Sequence, residues 1–174
     1  MTTPNKECES KEIRYAARFE RMVEFQVIDQ VVLAGQPQPD DWQKLAQRGF
    51  STVINIRSDP ERAAFQAKKA EEAGLNYIYL NVPAYEMEPE HIDAFHNILN
   101  SVNHGQILIH CRTASRTGLL WLLNRVANFG WSREQAEAEL RTAGYDEDAM
   151  DVFAFCAEDF FERTTVPLEL ELQY

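Results

Sequence analysis

Eight consecutive residues, His110-Cys-Arg-Thr-Ala-Ser-Arg-Thr117, bring together a thiol, two guanidinium groups and three hydroxyls. Upstream lies the short apolar run Ile107-Leu-Ile-His110; downstream, Leu119-Leu-Trp-Leu-Leu123 continues through Val126 to Phe129. The pattern predicts a strand, a tight loop and a buried helix. Amides of such a loop and of the first helical turn have no intrahelical acceptor, so they can surround an anion. A cysteine at the start of the loop meets the helix dipole and nearby arginines, which favours the thiolate, and a thiolate is a ready nucleophile. Arg116 is suited to fork onto two oxygens of a tetrahedral oxyanion.

The expected chemical pair is therefore Cys111 and Arg116, with Arg112, Thr113, Ala114, Ser115 and Thr117 completing an anion-binding loop. Thr117 is expected to donate a hydrogen bond to the sulfur, and His110 to fix the loop through a backbone hydrogen bond. Ser115 either caps the helix or donates to the anion. The competing reading makes Cys111 a structural residue at a strand end and leaves Arg112 and Arg116 as surface charges. Cys8 and Cys156 carry no such surroundings and are expected to be inert.

The elements that must position this loop follow from periodicity and punctuation. Lys11 to Phe25 reads as a helix, Val31–Ala34 as a short strand running into Gly35-Gln-Pro-Gln-Pro39, and Asp40 to Arg48 as a helix stopped by Gly49. Gln36 and Pro37 read as turn formers. Thr52–Ile56 is β-branched and apolar, like a strand covered on both faces. Pro60 opens a helix to about Ala73, with Asp59 as its N-cap. Tyr77–Val82 reads as a strand and Glu88 or Pro89 to Asn100 as an amphipathic helix. Ser132 and Gln135 form a capping-box pattern for a helix ended by Gly144, and a last helix runs from Asp146 to about Arg163. Alternating strands and helices indicate an α/β fold with a central, mostly parallel sheet flanked by helices. Ligands of such sheets bind at the carboxyl ends of the strands, where Cys111 falls.

The 174 residues suffice for one compact domain, taken as residues 11–174 behind a flexible tail of residues 1–10. A formal charge of −11 opposes binding to nucleic acid and to anionic membranes. It leaves room for an anionic substrate, phosphorylated or sulfur-containing, because local arginines override the mean field. Three widely spaced cysteines argue against a disulfide framework, and no Cys/His spacing suggests a metal, so no cofactor is expected. No segment reads as a membrane span or signal peptide, and a cytoplasmic protein is expected. Nothing in the chain speaks to its oligomeric state.

Several segments carry a family resemblance. Leu33-Ala-Gly-Gln-Pro37, Gly49-Phe-Ser-Thr-Val-Ile-Asn-Ile-Arg57 with Asp59 and Glu61, Ala73-Gly-Leu-Asn-Tyr77, Asn81-Val-Pro83, the His110–Thr117 loop and Ala143-Gly-Tyr-Asp146 span about residues 27 to 146. In these the chain resembles the bacterial beta-lactamase hydrolase-like proteins, phosphatase-like domain, within the dual-specificity protein phosphatase superfamily. The resemblance implies a dual-specificity phosphatase-like fold, with Cys111 forming a thiophosphate and Arg116 binding the phosphate. The chain departs from the broader superfamily in two ways. Four residues rather than five separate Cys111 from Arg116, which shortens the cradle, and Ala114 stands where related loops carry Gly.

The resemblance also calls for an upstream acid, yet Asn81–Glu90 contains no Asp. Glu86 is the candidate acid there, with Glu88 next, and Asp59 is the rival. Each carboxylate also suits a helix start, and Arg57 is placed to hold Asp59 or the substrate. Two other functions stay open beside a cysteine-dependent phosphatase. One is a rhodanese-like sulfurtransferase carrying a persulfide on Cys111, which needs no general acid. The other is a pseudophosphatase that binds anions without turnover.

Overall fold

A computed structural model describes residues 21–28, 30–102 and 105–165. Five strands form one sheet: β1 (Glu24–Ile28), β2 (Val31–Ala34), β3 (Phe50–Asn55), β4 (Asn76–Tyr79) and β5 (Gln106–His110). The helices are α1 (Asp41–Gln47), α2 (Pro60–Glu72), α3 (Pro89–Ser101), α4 (Ser115–Phe129), α5 (Arg133–Ala143) and α6 (Glu147–Thr164). The strand order is β1-β2-β5-β3-β4; β2, β5, β3 and β4 are mutually parallel, and β1 is antiparallel on the edge. The expected α/β fold with a mostly parallel sheet is the one observed.

Period-two side chains divide the interior into two layers. Val31 and Leu33 of β2, Ile54 of β3 and Ile107 and Ile109 of β5 face a core shared with α3 to α6. Val32, Ala34, Val53 and Leu108 face the opposite core, where Trp42 and Leu45 of α1 and Ala70 of α2 pack. Every residue of β2 is buried, which is why its sequence shows no polar alternation. The chain leaves β2, passes beyond the place of β5 to form β3 and β4, and returns to fill the gap with β5. Register pairs His110 with Ala34 on one side and with Asn55 on the other. The next residue, Cys111, thus emerges between two parallel neighbours at their carboxyl ends.

Helix α4 follows at once and is buried on most sides: Thr117, Gly118 and Leu120 to Arg125 are all buried. One glycine makes this packing feasible. A Cβ at Gly118 would stand 2.6 Å from Cζ of Phe153 and 3.0 Å from Cζ of Tyr145. Gly118→Ala is therefore expected to cost about 1–3 kcal/mol by overpacking, read as a lower urea midpoint with an unchanged m-value. A variant as stable as the parent would show that α6 has room to retreat.

Two expectations about element boundaries need correction. The helix read over Lys11–Phe25 lies mostly outside the described residues, but Glu24 and Phe25 belong to β1. That strand is a bulged edge strand with alternating exposure, so only Phe25 and Val27 pack on the core; two anchors are too few to show as a period. The strand read over Tyr77–Val82 stops at Tyr79, because its partner β3 ends at Asn55. Only Leu80 N–H···O Asn55 (2.9 Å) and Val82 N–H···O Ile56 (3.4 Å) follow the ladder onward. The proposed tail of residues 1–10, including Cys8, lies outside the described residues. No helix of the described residues is long and apolar enough to cross a membrane.

Candidate active site

The loop between β5 and α4 is held by its backbone. Cys111 N–H donates to Ala34 O (3.2 Å), Gln36 N–H to Arg112 O (3.0 Å), and Gly35 forms an isolated bridge with Thr113. Ala114 is the N-cap of α4 and adopts φ 68°, ψ 1°, the left-handed region. This is where a glycine would be at ease. The conformation costs an alanine about 1–2 kcal/mol, partly offset by its fully buried methyl, worth about 0.8 kcal/mol. Three donors then converge on the Ala114 carbonyl: Gly118 N–H (3.1 Å), Thr117 Oγ1 (2.8 Å) and Tyr145 Oη (2.7 Å). They over-determine the kink.

Two sequence expectations change here. Ser115 is the first helical residue rather than the cap, and no side chain caps the first turn of α4. The Thr117 hydroxyl donates to the Ala114 carbonyl (2.8 Å) rather than to the sulfur. Tyr145 is a loop-holding residue that sequence reasoning passed over, although it lies in the Ala143-Gly-Tyr-Asp146 segment. Its ring stacks on Phe25 at 3.9 Å and meets Phe153 edge-on at 5.2 Å. Burial pushes its phenol far up, so it serves as a neutral donor.

Cys111 lies at the base of the loop, 2% exposed. Thr113 and Ser115 are exposed and line a groove of about 510 Å³ bounded by Phe25, Tyr145, Asp146 and Asp148. Arg116 reaches back across the strand ends, and its Nη1 donates to Val82 O (3.0 Å) and Ile56 O (3.4 Å). Its Nε–Nη2 edge makes no hydrogen bond to a described residue. That free edge is the one that forks onto an oxyanion.

His110 is fully buried, and its Nδ1 stands 3.2 Å from Cys111 O. A carbonyl only accepts, so Nδ1 carries the proton, as the backbone-fixing role requires. Nε2 is then a bare, buried acceptor without a partner among the described residues. Burial pushes the pKa down from 6.5 to about 4; the Cys111 carbonyl opposes this and the positive charge of Arg57 adds to it. The unfolded chain takes up this proton near pH 6.5 and the folded chain near 4. Stability is therefore intact above about 6.5, falls as pH drops toward 4 and levels off below, a loss of about 3 kcal/mol. His110→Asn should remove this slope. Urea unfolding at about pH 7 and pH 5 is expected to show the parent losing about 2 kcal/mol more than the variant. Equal losses would contradict the neutral buried imidazole.

The candidate acids separate electrostatically. Asp59 caps α2, its Oδ1 accepting from Arg62 N–H (3.0 Å). Burial and the charges of Arg62 and Arg112 push the Arg57 guanidinium down, while Asp59 and Cys111 pull it up. Asp59 and Cys111 thus act on the same arginine. Glu86, exposed and at φ 56°, belongs to another neighbourhood. Arg163 is held up by its hydrogen bond to Asp159, with the charges of Asp159, Glu88 and Glu86 adding. Glu88 is the N-cap of α3 and lies 3.5 Å from Arg163. Cys156, on α6 and half-buried, has its thiol pushed up by burial and by Asp159, which suits an inert cysteine. Among the described residues, no cluster of His, Cys, Asp or Glu is disposed to hold a metal ion.

Sequence and fold comparisons converge on one group of proteins. The family profile described as beta-lactamase hydrolase-like protein, phosphatase-like domain, matches residues 24–128. The beta-lactamase hydrolase-like protein of Xylella fastidiosa (strain Temecula1) is 28% identical over 123 residues, covering 68% of this chain and 28% of that protein. The chain thus spans a little over a quarter of that relative's length. A candidate phosphatase from Neisseria meningitidis superposes with a TM-score of 0.64 at 22% identity, covering 76% of this chain and 96% of that one. A Cys→Ser form of P. aeruginosa TpbA in complex with pTyr superposes with a TM-score of 0.58 at 19% identity, covering 77% and 82%. These structural likenesses give the fold, that of the tyrosine and dual-specificity phosphatases.

Proposed function

The chain belongs to the beta-lactamase hydrolase-like, phosphatase-like domain family, and on that premise we propose that it is a cysteine-dependent phosphatase acting on a phosphomonoester. The observation that carries this reading is the placement of Cys111 at the carboxyl end of the central strand, under an uncapped helix start, with one edge of Arg116 unspent. TpbA, of the same fold, is known in complex with pTyr in its Cys→Ser form, and the loop amides and Arg116 of the present chain suit a phosphorylated anion.

In this mechanism the Cys111 sulfur attacks phosphorus while the loop amides and the Nε–Nη2 edge of Arg116 hold the equatorial oxygens. The phosphorus–oxygen bond breaks, and the leaving oxygen takes a proton from a carboxylic acid. Water then hydrolyses the thiophosphate, releasing inorganic phosphate and the free thiol. Asp59 is taken as the proton donor: it follows the carboxyl end of β3, where Ile56 N–H donates to His110 O (3.0 Å) beside Cys111, and both Asp59 and Cys111 raise the intervening Arg57.

Asp59→Asn keeps an N-cap but removes the acidic proton. It is expected to lower kcat about 100-fold on phenyl phosphate and much less on 4-nitrophenyl phosphate, whose leaving group needs no proton. Glu86→Gln should stay within a few-fold of the parent on both. The reverse ranking would transfer the acid to Glu86. Wild type unable to release phosphate from either compound would remove the phosphatase reading.

A further inference from the structure

Arg57 is fixed more firmly than a solvent-facing charge needs to be. Its amide donates to Asn55 Oδ1 (2.9 Å), and its Nη1 donates to Gln36 Oε1 (2.7 Å). Gln36 is itself oriented: its Nε2 donates to Pro37 O (3.1 Å), which turns the amide oxygen toward Arg57. Its backbone N–H donates to Arg112 O (3.0 Å), so the pair is tied directly to the loop that follows Cys111. Gln36 is therefore more than a turn former.

The partner's neutrality matters. A carboxylate at position 36 would cancel the guanidinium charge; an amide aims it and leaves it whole. Arg57 is half-buried, with Arg62 and Arg112 repelling it, and no carboxylate among the described residues is hydrogen-bonded to it. Holding such a charge in place, partly withdrawn from water and beside two other arginines that Asp59 offsets only in part, is unfavourable for folding alone. An arriving anion would relieve it.

We propose that Arg57, aimed by Gln36, is a second anion ligand beside the Cys111 loop, so that the preferred substrate carries another phosphate or carboxylate next to the phosphoryl group under attack. This rests on the phosphatase reading and adds the substrate's chemical class. Arg57 acts as a specificity residue and Gln36 as a positioning residue.

The test compares kcat/KM for phenyl phosphate, meta-carboxyphenyl phosphate and meta-phenylene bisphosphate. Wild type should prefer at least one doubly anionic compound by about tenfold, the worth of one charge-assisted pair. Arg57→Gln should bring that ratio close to one. Gln36→Glu, which keeps the side-chain contact but neutralises the charge, should do the same; it guards against a folding defect in the first variant. The two doubly charged compounds tell a carboxylate from a phosphate. In parallel, calorimetry on Cys111→Ser should find pyrophosphate bound about tenfold more tightly than orthophosphate, a preference that Arg57→Gln abolishes. A wild-type ratio near one, or a ratio untouched by both variants, overturns the proposal. If no aryl phosphate is turned over but the pyrophosphate preference depends on Arg57, the hydrolytic reading fails and the second anion site stands.

Discussion

Cys111→Ser is expected to reduce turnover of 4-nitrophenyl phosphate by a factor on the order of 10⁴ or more while leaving the fold intact. The loop does not depend on the sulfur: Cys111 is held through its N–H on Ala34 O and its carbonyl on His110, and the kink is held at Ala114. A hydroxyl fills nearly the same buried volume, so the circular dichroism spectrum and urea midpoint should change little. What disappears is the nucleophile, because a serine hydroxyl without a base stays protonated where a thiol can ionise. Release of nitrophenolate, followed continuously, gives the rate. A variant within tenfold of the parent would remove Cys111 from the chemistry.

Arg116→Ala is the second large effect, a loss of about 10³ in kcat/KM, equivalent to about 4 kcal/mol of transition-state stabilisation. This arginine also has a structural share, since Nη1 closes the carbonyls of Val82 and Ile56 over the strand ends. Its loss leaves Val82 O with the Ser58 hydroxyl (3.0 Å) and Ile56 O with the long bond from Val82 N–H (3.4 Å), and should cost about 1 kcal/mol of stability. Arg116→Lys separates the two contributions. An ammonium can still reach a carbonyl but offers no fork to an oxyanion, so stability should recover in part while turnover does not. Recovery of both would mean that charge alone, without bidentate geometry, suffices at this position.

Much of this arrangement was legible in the sequence because it is written locally. A strand, a cysteine, an arginine and a buried helix are contiguous, so His110 to Phe129 states its own geometry. Asp59 before Pro60 and Ser132 before Gln135 likewise announced their helix starts, and both caps are formed. The left-handed turn at Ala114 could not be anticipated from an alanine, which disfavours it; only the resemblance, with glycine at that position, points there. What stayed hidden depends on contacts distant in the chain. The acceptor of the Thr117 hydroxyl, the donation from Tyr145 to Ala114 and the bond from Arg57 to Gln36 each require knowing which strand ends lie side by side. The edge strand β1 escaped because two inward residues and a bulge carry no readable period. Between Asp59 and Glu86 the sequence does not choose, because each is an acid near a helix start.

The most direct test of the account is the covalent state of Cys111 during turnover. Wild-type protein mixed with an aryl phosphate, quenched within the first turnover and digested, should yield the Cys111 peptide heavier by one phosphoryl group, a modification absent from Cys111→Ser. Thiosulfate given in its place should leave that peptide unmodified. A Cys111 peptide that never carries phosphorus, or that gains a single sulfur atom from thiosulfate, would contradict the phosphatase account and move the thiol to sulfur transfer.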